Sequence, residues 1–385
     1  MEDSYSSIIC VADMNITEAL DQCLADISIP EVFIQRAKQM SLVERHRFPA
    51  LRGSTRLDES RALIYRTYVP SEYAEGVMRR IAEVTDLKMG GRGCIFTQRI
   101  DMCRGAPLSF DTEKLERLCG KSRKIQEEEH TLVSCIIPRG SGNSLAQAVL
   151  ELGVCVPIIF FGTGVGLRDK LGLMRITVPV EKEIIWFIVP RVDVELVEKT
   201  LIPRARLDVP GQGFLYKFSV HAPVVNLRVR QGKRVHAATM EQVIAALDEV
   251  QGSSDWRRLG TRKKEGGGNR TISTRGLFFI GEEDEVETFR RMAMDSGARG
   301  ATLNSVEMRQ YGASHAEAKE SHSRELCDII TSPAVEKALR EQIAGAGVFG
   351  GEKTCLLKSF EVEMAPVIRR HARGGQANGG HELKA

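Results

Sequence analysis

Two hydrophobic periods alternate along the chain. Apolar runs at Leu132 to Ile137, Val156 to Phe161, Ile184 to Val189 and Phe214 to Val220 have the length and β-branched content of buried strands. Between them, apolar residues recur at three- and four-residue spacing: Leu145, Val149 and Leu152, closed by Gly153, then Val194, Val197 and Leu201. That spacing predicts amphipathic helices. The order is βαββαβ, the split-βαβ pattern of ferredoxin-like folds.

The same order is expected on either side. Ser6 to Val11 is a strand, Ile16 to Leu24 a helix and Glu31 to Ala37 a strand; Leu277 to Ile280, Val286 to Met294 and Ala301 to Val306 repeat it. The back halves agree at their joints. Strands ending at Pro70, Pro190 and Pro333 each precede a helix, and proline suits a first helical turn because its missing N–H has no partner there. A glycine turn and another strand follow each time: Gly90 to Gly93 before Cys94 to Arg99, Gly211 to Gly213 before Phe214, and Gly350 and Gly351 before Thr354 to Val362. What repeats is the order of elements rather than the residues. The expected boundaries are unit 1 at 1–105, a linker at 106–129, unit 2 at 130–235, a helix and basic glycine-rich linker at 236–273, unit 3 at 274–368 and a disordered tail at 369–385.

Residues 132–230 also resemble the P-II family of signal-transduction proteins, the nitrogen regulatory protein family. The resemblance rests on Gly153 to Gly166 with its glycine-rich end, Glu181-Lys182-Glu183-Ile184-Ile185, the Gly211-Gln212-Gly213 turn, and Arg228-Val229-Arg230-Gln231-Gly232. P-II proteins are trimers whose sheets pack around a threefold axis. A four-stranded sheet with helices on one face leaves the other face to be covered. The expectation is therefore α+β, three tandem ferredoxin-like βαββαβ units packed as a single-chain, monomeric pseudo-trimer. Its rival is three separate units, each trimerising with other chains.

The resemblance further implies an adenine-nucleotide cleft between units. Its glycine pair at the base of the mobile T-loop corresponds to Gly164 and Gly166. Its glycine turn corresponds to Gly211, Gln212 and Gly213, and its basic pair to Arg228 and Arg230. Read without the family, glycine runs fit either a ligand approached by backbone or a tight turn. Alternating arginines fit either a phosphate chain or a solvated edge strand. Unit 1 keeps Gly91, Arg92 and Gly93 but has Lys38-Gln39-Met40 where strand-end glycines belong, and unit 3 has Met308-Arg309-Gln310 there. One site, or one with a remnant, is expected. Phe214 stands where the family has a basic residue, and Gln212 replaces an acid. The segment from Leu167 to Val180 lacks the tyrosine modified in some members, so the resemblance does not extend to uridylylation.

In P-II proteins the T-loops contact partners. The corresponding segments are 41–59, 167–180 and 310–324, and the implied partner is a membrane transporter or a metabolic enzyme. The alternative is a scaffold that kept the shape and lost the ligand.

Composition adds exclusions. Lys and Arg number 54 against 51 Asp and Glu, a net charge of +3, which gives no argument for nucleic acid. No 18-residue apolar run predicts a spanning helix, and the acidic Met1-Glu2-Asp3-Ser4 start is unlike a signal peptide. Nine scattered cysteines with no C-x-x-C pair fit reduced thiols in a cytoplasm. The basic, glycine-rich run 257–270 fits a tether or a patch for anionic ligands. His315 and His322 fit a metal pair or a solvated loop. No catalytic motif is present, so no enzyme, metal or resident cofactor beyond an adenine nucleotide is expected.

Overall fold

The computed structural model describes residues 5–45, 54–104, 108–122, 130–166, 181–209, 211–226, 229–231, 272–311, 318–349 and 355–364. The first third supplies β1 (Tyr5–Asp13), α1 (Thr17–Asp26), β2 (Glu31–Arg45), β3 (Ser54–Pro70), α2 (Ala74–Val84) and β4 (Gly93–Arg104), followed by α3 (Thr112–Cys119). The middle third supplies β5 (His130–Pro138), α4 (Gly142–Leu152), β6 (Ile158–Gly166), β7 (Glu181–Pro190), α5 (Val194–Arg204), β8 (Phe214–Val224) and the short β9 (Arg230–Gln231). The last supplies β10 (Ile272–Gly281), α6 (Glu283–Asp295), β11 (Gly300–Tyr311), β12 (Ala318–Thr331), α7 (Pro333–Ala346) and β13 (Leu356–Met364).

Local chemistry explains the joints. Pro70 and Pro190 end β3 and β7, and a single 3-10 turn leads each chain into its helix. Pro333 opens α7 directly, with the Ser332 hydroxyl accepting a hydrogen bond from Val335 N at 3.3 Å. That arrangement satisfies one of the N–H groups a helix leaves over at its start. At α6 the cap is reciprocal: Glu282 accepts from the third helical N–H, and Glu282 N donates to Glu285 Oε2 at 2.9 Å.

The expected fold class is overturned by the strand pairings. The strands do not form three ferredoxin-like units with separate sheets; they form one 13-stranded sheet, ten strands of which close into an antiparallel β-barrel. Neighbours within each third run β4-β1-β3-β2, β8-β5-β7-β6 and β13-β10-β12-β11, but hydrogen bonding continues past those edges. At one seam β2, β6 and β11 pair with one another; at the other β4, β8 and β13 do. The physical reason is the cost of an open edge. A strand with unpaired N–H and C=O groups is exposed to water or to foreign strands, and pairing across thirds of the chain removes that exposure. β9 is the exception in direction, running parallel to β2.

A closed sheet has two faces with different partners. The inner face holds one apolar core drawn from all three thirds, including Ile9, Phe96, Trp186, Phe218, Phe278 and Phe360. Phe218 meets Phe360 edge-on at 5.0 Å between centroids, and Trp186 meets Phe160 at 4.8 Å. The outer face carries the helices over three smaller cores. Leu20, Val77 and Leu115 belong to the first, Leu145, Val149 and Val197 to the second, and Val286, Phe289 and Leu339 to the third.

Two expected loops are shorter than read from sequence. Residues 41–45 and 54–59 are paired strand, with Leu42 opposite Leu57, and β11 and β12 remain paired as far as Tyr311 and Ala318. The segment 167–180, the basic run 257–270, the helix expected near 240–250, His315 and the tail lie outside the described residues. No disulfide joins the nine cysteines. Burial pushes the Cys94 and Cys135 thiols up to about 12, which suits small buried hydrophobes rather than nucleophiles. No helix among the described residues is long and apolar enough to cross a membrane.

Candidate functional site

The glycines that end β6 are strand rather than turn. Gly166 pairs with Gly300 and Gly164 with Thr302 on β11, while Gly162 pairs with Lys182 on β7. Lacking side chains, they leave room beside the seam, and Lys182 fills part of it. A Cβ on Gly164 would come within 2.6 Å of Lys182 Cε.

A cavity of about 710 Å³ opens at this place. One wall is Gly164, Val165, Gly166 and Lys182, with Ile136 and Phe214 behind them. The facing wall comes from the last third: Arg299 to Thr302 at the start of β11, Asp328 and Ile330 to Thr331 on β12, and Ser332 and Val335 at the start of α7. The size is that of a small-molecule site, apolar with a few polar groups.

Its polar groups fall into two sets. Lys182, Arg299 and the N-terminus of α7 are positive in character, since helix N-termini present unpaired N–H groups and the positive dipole end. Burial lowers the Lys182 ammonium from its ordinary value, so this lysine gains from an anion beside it. The other set is Asp328. Its Oδ2 accepts from the Tyr216 hydroxyl at 3.2 Å, and its buried Oδ1 has no hydrogen-bond partner. Burial pushes the Asp328 carboxyl up, against the opposing pull of Tyr216, Lys358 and Arg66.

The remaining sequence-selected residues sit elsewhere. Gly213 is glycine for a structural reason: its φ is +127°, and a Cβ would run into the Ile136 carbonyl oxygen. Gly93 stands in the same relation to the Val11 carbonyl at φ +136°. Gly211, Gln212 and Gly213 do not line the cavity, although Phe214 beside them does. Arg228 lies outside the described residues, and Arg230 pairs with Leu42 on β2. The first glycine turn is tied into a polar seam: Gly91 N donates to Asn226 Oδ1 at 3.2 Å, and Asn226 Nδ2 donates to Gln39 Oε1 at 2.9 Å. Arg92 folds back on its own turn, donating to the Thr85 carbonyl at 3.1 Å and facing Asp86 at 3.5 Å.

Arg299, Thr302 and Asp328 were missed because the second wall belongs to another third of the chain, and Lys182, beside Gly162 on β7, reads in the sequence only as part of a strand entry. Asp328 does leave a trace in the sequence, as a lone acid inside the apolar run Cys327 to Ile330. No group of three metal-binding side chains occurs among the described residues.

No family model matches this sequence, and no curated protein matches it. Among solved structures, a GlnK from B. subtilis is similar over 29% of this chain and 98% of that chain, at 15% identity and a TM-score of 0.21. An aspartate kinase from Synechocystis is similar over 91% of this chain and 55% of that chain, at 10% identity and a TM-score of 0.18. The likeness to GlnK, a P-II protein, is weak, and neither likeness carries an argument about activity.

Proposed function

We propose that the protein is a P-II-like regulator that binds an adenine nucleotide in the cleft between β6 and β11. Binding there changes its affinity for a transporter or metabolic enzyme. The observation that supports this reading most directly is the pairing of opposite chemistries in one cavity. Lys182, Arg299 and the α7 N-terminus suit phosphates, while Asp328 on the facing wall, whose buried Oδ1 lacks a hydrogen-bond partner, suits a hydrogen-bond donor such as an exocyclic amine. The apolar surfaces of Val165, Phe214 and Ile330 suit a flat ring between them. Gly164 and Gly166 link the cavity to the segment 167–180, so a ligand seated on them acts where that segment begins. Regulation then requires the ligand to prefer one state of that segment over another.

The second reading is a scaffold without a ligand. It draws on Phe214, which puts an aromatic ring on the cavity wall where the resembled family has a basic residue.

Thermal unfolding with ATP, ADP, AMP, cyclic AMP, cyclic di-AMP and bicarbonate separates the two. A ligand at a hundred times its Kd adds about 2.7 kcal/mol. The regulator reading expects such a shift with one adenine nucleotide. It also expects about tenfold weaker binding, ~1.4 kcal/mol, in Lys182→Ala and in Asp328→Asn. Well-folded protein that responds to none of these compounds supports the scaffold instead.

A further inference from the structure

One layer of the barrel interior is polar although apolar residues enclose it. The register sets Arg66 opposite Ile9 and Phe33, Trp186 and Tyr216 opposite Ser134, and Asp328 and Lys358 opposite Phe278. Arg66, Trp186, Tyr216 and Lys358 are each at most 3% exposed. The Arg66 guanidinium lies 5.2 Å from the Trp186 ring centroid, and the Lys358 ammonium lies 4.6 Å from that of Phe278 and 5.4 Å from that of Phe360.

Charge does not balance here. Arg66 and Lys358 are two cations, and Asp328 is the one carboxylate among the described residues of this layer, already engaged by the Tyr216 hydroxyl. Arg66 Nε, Arg66 Nη1 and Trp186 Nε1 are buried donors with no acceptor. A buried donor without an acceptor costs free energy, and so does a buried charge without a counter-charge. Water would satisfy the donors and leave the charge.

We propose that this layer binds one small monovalent anion such as chloride, held by the N–H groups of Arg66 and Trp186, with Lys358 supplying the second positive charge. Monovalent follows from an excess of one positive unit. Small follows from the near-complete burial of Arg66, Trp186 and Lys358. The proposal shares Asp328 with the nucleotide reading but rests on Arg66, Trp186 and Lys358, and Lys182 and Arg299 in the cleft take no part in it.

The test is thermal unfolding of the full chain at fixed ionic strength, chloride against gluconate, together with crystals grown in bromide. The expected result is a Tm that climbs with the logarithm of chloride concentration, and an anomalous bromide peak within hydrogen-bond distance of Arg66 Nε or Nη1. Trp186→Phe keeps an aromatic ring and removes the N–H, and it should flatten the chloride response; Lys358→Met should do the same. Arg66→Leu is the more direct variant, and Trp186→Phe decides the matter if that one does not fold. Equal Tm in the two salts would overturn the proposal, as would density for water alone beside Arg66. A chloride response that survives Trp186→Phe and Lys358→Met but vanishes in Lys182→Ala would also overturn it by placing the anion in the cleft.

Discussion

Gly213 shows how one residue can answer a structural need where sequence reading saw a ligand. Its positive φ and the Ile136 carbonyl in the path of any Cβ tie the glycine to the β5–β8 ladder. Gly213→Ala should cost ~1–3 kcal/mol in a urea titration, from backbone strain plus displacement of the neighbouring strand. Gly211→Ala, at φ +89° with open space around it, should cost only ~1–2 kcal/mol. Equal losses at the two positions would remove the close approach as the cause.

Titration belongs to the same scale. Burial raises the Asp328 carboxyl from 3.8 to about 7. Burial, with Arg66 beside it, lowers the Lys358 ammonium from 10.5 to about 7. For Asp328 the folded chain holds the proton more tightly, so its contribution is complete below pH 3.8 and declines up to about 7. For Lys358 the unfolded chain holds the proton more tightly, so its contribution is present above pH 10.5 and is lost as pH falls to about 7. Both signs put the weakest point of this pair near neutrality. In chloride-free buffer, the Tm of the native protein relative to Lys358→Met should therefore rise between pH 7 and 10. A constant difference across that range would show that Lys358 does not titrate there.

Among the elements, periodicity and punctuation were informative and strand extent was not. The strands at Leu132, Ile184 and Phe214 and the helices around Val149 and Val197 were readable because apolar residues keep a regular period between proline and glycine joints. The extension of β2 to Arg45 and of β3 back to Ser54 was not. Those residues are largely polar, and Leu42, buried in the second outer core with Leu57 packed against it, owes its burial to other thirds of the sheet rather than to a local apolar run. Gly162 to Gly166 misled for a related reason: five residues with three glycines read as a turn, yet cross-strand pairing with β7 and β11 holds them extended. The capping box of α6 offers a test at this scale. Glu285→Ala removes the acceptor for Glu282 N and should destabilise by ~0.5–1 kcal/mol. Glu285→Gln, which retains an acceptor, should lose less.

For the molecule as a whole, the decisive contacts lie between residues far apart in sequence. β13 pairs with β4 and β8, and β11 pairs with β2 and β6. No local pattern announces such pairings, which is why the sequence suggested three sheets where there is one. It is also why only the β6 wall of the cleft was found. A shared inner core predicts shared unfolding. Calorimetry should give a single transition with equal calorimetric and van't Hoff enthalpies, whereas separate transitions would mean that the thirds of the chain melt independently.

The two seams have a practical corollary. A chain divided between residues 231 and 272 would yield one piece carrying β1 to β9 and another carrying β10 to β13. Each piece alone would bear unsatisfied strand edges, and each would hold the partners the other lacks. The halves should recognise one another and rebuild the barrel when mixed, so the protein is a natural candidate for fragment complementation, in which the recovery of fold reports that two attached proteins have met.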